Sequence, residues 1–168
     1  MLIASEHLIA AADCATPLQA LELLSGLLQN NDCTGASCAA ALEAGDRAFP
    51  CVLNGLAVSH LGTAGEGLLR RGGVAALRLN RPLDWYGSPV SLVFAVALPR
   101  PLQPATFAAI AALSADAERL AAVAEAALPS DLLTLFNAVS VAASRAAIPA
   151  PPPERRYEAT LAVFLKDP

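Results

Sequence analysis

The sequence predicts one α/β domain with a mostly buried sheet. Three observations carry that prediction: a capped, leucine-spaced segment after Thr16, an apolar run from Val90 to Leu98 bounded by prolines, and renewed helical spacing after Pro104. Helical and strand patterns therefore alternate along 168 residues, a length suited to one apolar core.

Taken in order, Thr16-Pro17-Leu18-Gln19 reads as a helix start, with threonine as cap, proline at the first helical position and glutamine completing a capping box. Leu18, Leu21, Leu24 and Leu28 then mark one apolar face, and Asn30-Asn31-Asp32 ends the helix. A shorter helix is expected from Ser37 to Ala44, with Gly45 as its stop. Residues 45–55 read as a loop, Leu56 to Val58 as a short strand, and Gly62, Gly65 and Gly67 as a flexible or tightly turned segment.

Val74 to Leu79 reads as the next strand, and Pro82 to Pro89 as a turn-rich excursion around Trp85. Val90 to Leu98 (VSLVFAVAL) has the length and valine content of a central strand covered on both faces. Pro104 opens a helix carrying Phe107, Ile110, Ala111 and Leu113. Helix resumes after a break near Ser114, Pro129 closes it, and Ser130 caps a last helix to about Val139. Ile148 to Pro153 (IPAPPP) is a stiff crossing, and Tyr157 to Leu165 (YEATLAVFL) has strand character. The domain is thus expected over 1–147, with 148–168 appended. The appended strand either covers a sheet edge or pairs with a second copy to make a homo-oligomer.

Composition narrows the function. A formal charge of −4 offers no basic field for nucleic acid. No apolar run approaches the ~18–20 residues that span a bilayer, so membrane insertion is not expected. The opening MLIASEHLIAAADC lacks a basic leader and is broken by Glu6, His7 and Asp13, which makes the cytoplasm the expected compartment. Cys14, Cys33, Cys38 and Cys51 show no C-x-x-C spacing and read as free thiols serving as small hydrophobes. A zinc site would want tighter cysteine pairs with histidines nearby.

The catalytic inventory is short. His7 is expected to be solvent-facing or packed. His60 follows a strand of small residues and opens the glycine-rich stretch Leu61 to Gly67, where α/β domains gather ligand-handling groups. A structural role, nucleophilic or acid–base chemistry, and metal ligation all remain open for it. The glycines at 62–67 lack the lysine and hydroxyl of a phosphate-cradling loop.

Asn54-Gly55-Leu56-Ala57-Val58-Ser59-His60 resembles the n-G-x-A-(I/V)-P-H signature of the IIA phosphocarrier domains of the bacterial phosphotransferase system, in their mannitol/fructose/nitrogen-regulatory class. Arg81 to Pro99 (RPLDWYGSPVSLVFAVALP) is similar to that family's P-(I/L)-D-(F/W) and P-V-D-L-(I/V)-F segment. The helix capped at Thr16 and the one from Cys38 to Arg47 resemble the family's first two. The likeness covers roughly residues 1–138.

The resemblance implies a mixed β-sheet flanked by helices, with His60 accepting a phosphoryl group from the carrier HPr and passing it to a IIB domain or using it as a regulatory signal. It implies a ring held by its second nitrogen donating to a backbone carbonyl, a docking collar drawn from Phe49, Leu56 and Leu61, and neither a metal nor an organic cofactor. Arg47 matches an arginine near the family's pocket. Ser59 stands where relatives carry proline, Leu61 where they carry glycine, Ala48-Phe49-Pro50 replaces a hydroxyl-rich element, and Thr106 stands where many place a second histidine. Arg47, Ser59 and Thr106 are therefore the phosphate-pocket candidates beside His60, as hydrogen-bond donors to the phosphate. The same departures frame an alternative, a non-catalytic regulatory or scaffold protein on this fold that binds a partner or oligomerises.

Overall fold

The computed structural model describes residues 3–63 and 65–146, with side chains through residue 138. The crossing expected at 148–153 and the strand expected at 157–165 lie outside the described residues. The elements are β1 (Leu8–Ala12), α1 (Pro17–Asn30), α2 (Cys38–Ala48), β2 (Val52–Leu53), β3 (Leu56–His60), β4 (Gly73–Trp85), β5 (Ser88–Ala97), α3 (Gln103–Ala115), α4 (Ala117–Glu125) and α5 (Pro129–Ala146), with single helical turns at Ser5–His7, Glu66–Leu68 and Arg100–Leu102.

The strands form one mixed sheet in the order β1-β4-β5-β3-β2. β1 runs parallel to β4 and β3 parallel to β5, whereas β4–β5 and β2–β3 are antiparallel. β5 is central, and Val90 and Leu92 to Ala97 are all buried, as the apolar run predicts.

Alternation along the strands divides the core in two. One face presents Ala57, Ala75, Leu77, Val93, Ala95 and Ala97 to α1 and α2. The other presents Leu56, Val58, Val74, Leu92, Phe94 and Val96 to α3, α4 and α5, where Phe94 meets Phe136 edge-on with ring centroids 5.5 Å apart.

The cap of α1 forms as expected. The Thr16 hydroxyl accepts from the Gln19 N–H at 3.3 Å, and Gln19 Oε1 accepts from the Ala15 N–H at 2.8 Å. Other expectations need correction. Gly45 does not stop α2, which continues to Ala48. β3 extends two residues further, to His60. Asn54 and Gly55, both at positive φ, form the tight turn between β2 and β3.

The stretch from Pro82 to Pro89 is not an excursion but the end of a hairpin. β4 and β5 pair through Trp85↔Ser88, with Tyr86 (φ 53°) and Gly87 (φ 82°) as the turn. Pro129 opens α5 rather than closing the preceding helix, consistent with proline's fit at a first helical position. The apolar stretch at 8–12 adds the unforeseen strand β1. Arg78 ties this edge down: its Nε donates to the Ala10 carbonyl, and Nη1 donates to the Val123 and Ala126 carbonyls at the end of α4.

Among the described residues no helix is long and apolar enough to cross a membrane, and no group of three or more side chains is placed to hold a metal.

Candidate functional site

His60 is the last residue of β3, paired in register with Val96 of β5. Its side chain shares a sheet face with Leu56 and Val58, so it leaves the bulky-residue face toward α3 and is half-buried. Ser59 points to the opposite face. Its hydroxyl is buried and donates to the Leu42 carbonyl of α2 at 2.8 Å.

The ring of His60 is fixed by the backbone two residues on, where the Gly62 N–H donates to Nδ1 at 3.0 Å. Nδ1 is thus the acceptor, and a neutral ring carries its proton on Nε2. This replaces the expected bond to a backbone carbonyl. Gly62 sits at φ 62°, a conformation glycine adopts without strain. Phe49 stacks beside the ring with centroids 6.4 Å apart, and Phe107 of α3 meets it edge-on at 5.9 Å.

Helix α2 supports this segment from the other face. A Cβ built on Gly45 would lie 2.0 Å from the His60 carbonyl oxygen and 3.6 Å from the Gly62 nitrogen. Glycine is required there for close approach, not for a helix end. The following residue, Asp46, is a buried carboxylate that accepts from Trp85 Nε1 at 3.2 Å and from the Tyr86 hydroxyl at 2.9 Å. Burial raises its pKa above the ordinary carboxylate value, against the opposing pull of the Tyr86 and Trp85 hydrogen bonds and of the nearby His60.

The other candidate donors are engaged elsewhere. Thr106 donates to the carbonyl of Leu102, the residue just before its helix, at 3.2 Å. Arg47 pairs with Glu43 one helical turn back at 2.6 Å, with its side chain well exposed. Among the described residues, the hydrogen bond to the His60 ring comes from Gly62 alone.

Of the expected collar, Leu56 and Leu61 are core, whereas Phe49 is 70% exposed. Leu102 is also exposed, in the turn that precedes α3. The Arg100–Glu66 ion pair links the loop after β3 to the turn after β5, at the same end of the sheet as His60. Sequence reading missed Arg100 because no motif surrounds it, and missed Asp46 because its partners lie some forty positions away.

His7 is buried with Nε2 3.4 Å from Cys33 Sγ, so it is a packed side chain. All four cysteines are free. Burial raises the thiol pKa of Cys14, Cys33 and Cys51 and so disfavours the reactive thiolate.

A mixed-sheet α/β domain with an imidazole at the carboxyl end of an inner strand is the class these observations define. The chain belongs to the EIIA 2 family of the phosphoenolpyruvate-dependent sugar phosphotransferase system, whose model matches residues 1–139.

Solved structures agree on the fold. IIA mannitol from Escherichia coli superposes with a TM-score of 0.73 at 14% identity, covering 81% of this chain and 99% of that one. The E. coli complex of enzyme IIA mannitol with phosphorylated enzyme IIB mannitol gives 0.72 at 14%, covering 81% and 97%. The nitrogen-regulatory protein IIA-Ntr from Neisseria meningitidis gives 0.64 at 16%, covering 80% and 96%. No curated protein matches the chain.

Proposed function

We propose that this chain is a IIA-type phosphocarrier of the cytoplasm, with residues 1–147 as the carrier domain and His60 as the acceptor. An HPr-type protein supplies the phosphoryl group, and a IIB domain or a regulated protein receives or reads it. The observation that carries the reading is the Gly62 N–H on Nδ1, which occupies that nitrogen's lone pair, so that Nε2, once its proton has left, is the nitrogen open to phosphorus. Family membership supports it.

In this mechanism Nε2 of His60 first gives up its proton, since Nε2–H has no lone pair to offer, and then attacks the donor's phosphorus in line. The donor's P–N bond breaks, and a P–N bond forms at Nε2. The Nε2 proton leaves to water while the donor's imidazole takes one up, so charge and protons balance. Nδ1 keeps its bond from Gly62 throughout, so the ring need not reorient between the two states. Phe49, Leu102 and Phe107 offer the partner an apolar rim. Arg47, Ser59 and Thr106 contribute phosphate contacts only if they leave their present partners.

Those engagements favour the second reading, a scaffold that binds a partner without phosphorylation. One assay separates the two. With phosphoenolpyruvate, enzyme I and HPr, the carrier takes up acid-labile phosphate and His60→Ala does not. No label from any HPr-type donor of the source organism overturns the carrier and leaves the scaffold.

A further inference from the structure

Away from His60, helices α4 and α5 leave a groove between them. Ala122 of α4 and Leu135 of α5 line two adjoining cavities of about 340 and 550 Å³, and Ala126 and Ala127 of the link between the helices add apolar wall to the larger. The rim is acidic. Glu125 and Asp131 edge the larger cavity, and Asp116 and Glu118 the smaller. Arg119, the basic residue of this lining, pairs with Asp116 at 3.5 Å. Among the described residues, Glu118, Glu125 and Asp131 therefore meet no basic side chain in an ion pair.

An apolar trough with an uncompensated acidic rim fits a segment that carries an apolar anchor beside paired cations. Glu154-Arg155-Arg156-Tyr157 of this same chain is such a segment. The spacing agrees. From Asp131 to Ala146, its last residue, α5 advances about 22 Å at 1.5 Å per residue. Residues 147–153 (AIPAPPP), taken as polyproline at 3.1 Å per residue, span about the same 22 Å in reverse. Exposed ion pairs contribute little each, but a stiff spacer lowers the ordering entropy that docking must offset.

We propose that the α4–α5 groove is the docking site of this chain's own segment 154–157. Arg155 and Arg156 meet the Glu125 and Asp131 carboxylates, and the Tyr157 ring lies against Ala122, Ala126 and Leu135. The segment thereby clasps α4 to α5 from outside, over the layer whose inner side carries Val123 and Phe136. The inference stands apart from the chemistry at His60.

Nuclear Overhauser contacts in the full chain test it. The Tyr157 ring shows contacts to the side chains of Ala122, Ala126 and Leu135. Glu125→Gln with Asp131→Asn removes them and raises trypsin cleavage at Arg155–Arg156 about tenfold, while cleavage at the exposed Arg70–Arg71 stays unchanged because the fold is intact. Arg155→Glu with Arg156→Glu also removes the contacts. Adding Glu125→Arg and Asp131→Arg to that pair restores them, which a merely damaged chain does not do.

No contact from Tyr157 to the groove overturns the proposal, as does a cleavage rate at Arg155–Arg156 that ignores the loss of the two carboxylates. In a mixture of isotope-labelled and unlabelled chains, contacts found only between copies overturn it too, because the groove then holds a second copy's segment.

Discussion

The two faces of the sheet are packed on opposite principles. Toward α3, α4 and α5 the strands present the large side chains Leu56, Val74, Leu92, Phe94 and Val96. Toward α1 and α2 they present mainly alanines 57, 75, 95 and 97, and α2 comes close at Gly45. Closeness is what the site uses. On the small-residue face α2 packs so tightly that Gly45 meets the backbone of His60 and Gly62, while the imidazole itself emerges on the bulky face between Phe49 and Phe107. One face contributes apolar burial, and the other sets the position of the imidazole.

Substitutions that exchange these roles break the comparison, and the largest effect belongs to the bulky face. Phe94→Ala, which empties a fully buried ring site beside Phe136, costs about 4 kcal/mol in denaturant unfolding. Gly45→Ala comes next. Its new methyl must displace a backbone carbonyl, so stability falls by about 2 kcal/mol despite alanine's better helix propensity. The His60 ring also loses its single tautomer in ring-nitrogen spectra.

Gly26→Ala sharpens the contrast at the small end. Gly26 lies in α1 with nothing within 4 Å of an added Cβ, so the same exchange stabilises the protein by about 0.8 kcal/mol, read as a raised denaturation midpoint. Opposite signs for one substitution in neighbouring helices attribute the Gly45 effect to close approach.

What was legible in the sequence follows the same division. The central strand announced itself because a strand covered on both faces must be apolar at every position, as Val90 to Leu98 nearly is. The Thr16 cap was legible because its partners lie within four residues. β1 was not: three of the five residues of Leu8–Ala12 are alanine, which is depleted in strands, and only its place beside β4 makes it one.

Gly45 misled because glycine serves equally as a helix stop and as room for a neighbouring backbone, and only tertiary structure separates the two. Tyr86-Gly87 lacks the Asn-Gly or Asp-Gly pattern that usually marks a two-residue hairpin, and the flanking prolines suggested a loop.

At the site, the position of His60 was readable from its motif, but the orientation of its neighbours was not. Adjacent residues of a strand face opposite ways, so Ser59 was never placed to reach the ring if β3 continues to His60. That the strand continues depends on pairing with β5, thirty-six positions downstream. The engagements of Thr106 and Arg47 are likewise choices between local partners and a distant ring, which composition and spacing do not rank.

The most direct measurement is phosphorus and ring-nitrogen NMR of the chain after incubation with phosphoenolpyruvate, enzyme I and HPr. A single phosphoryl group bonded to Nε2 of His60, with Nδ1 unprotonated and still accepting from Gly62, is the predicted result. Phosphate on Nδ1, on another residue, or on none at all contradicts it.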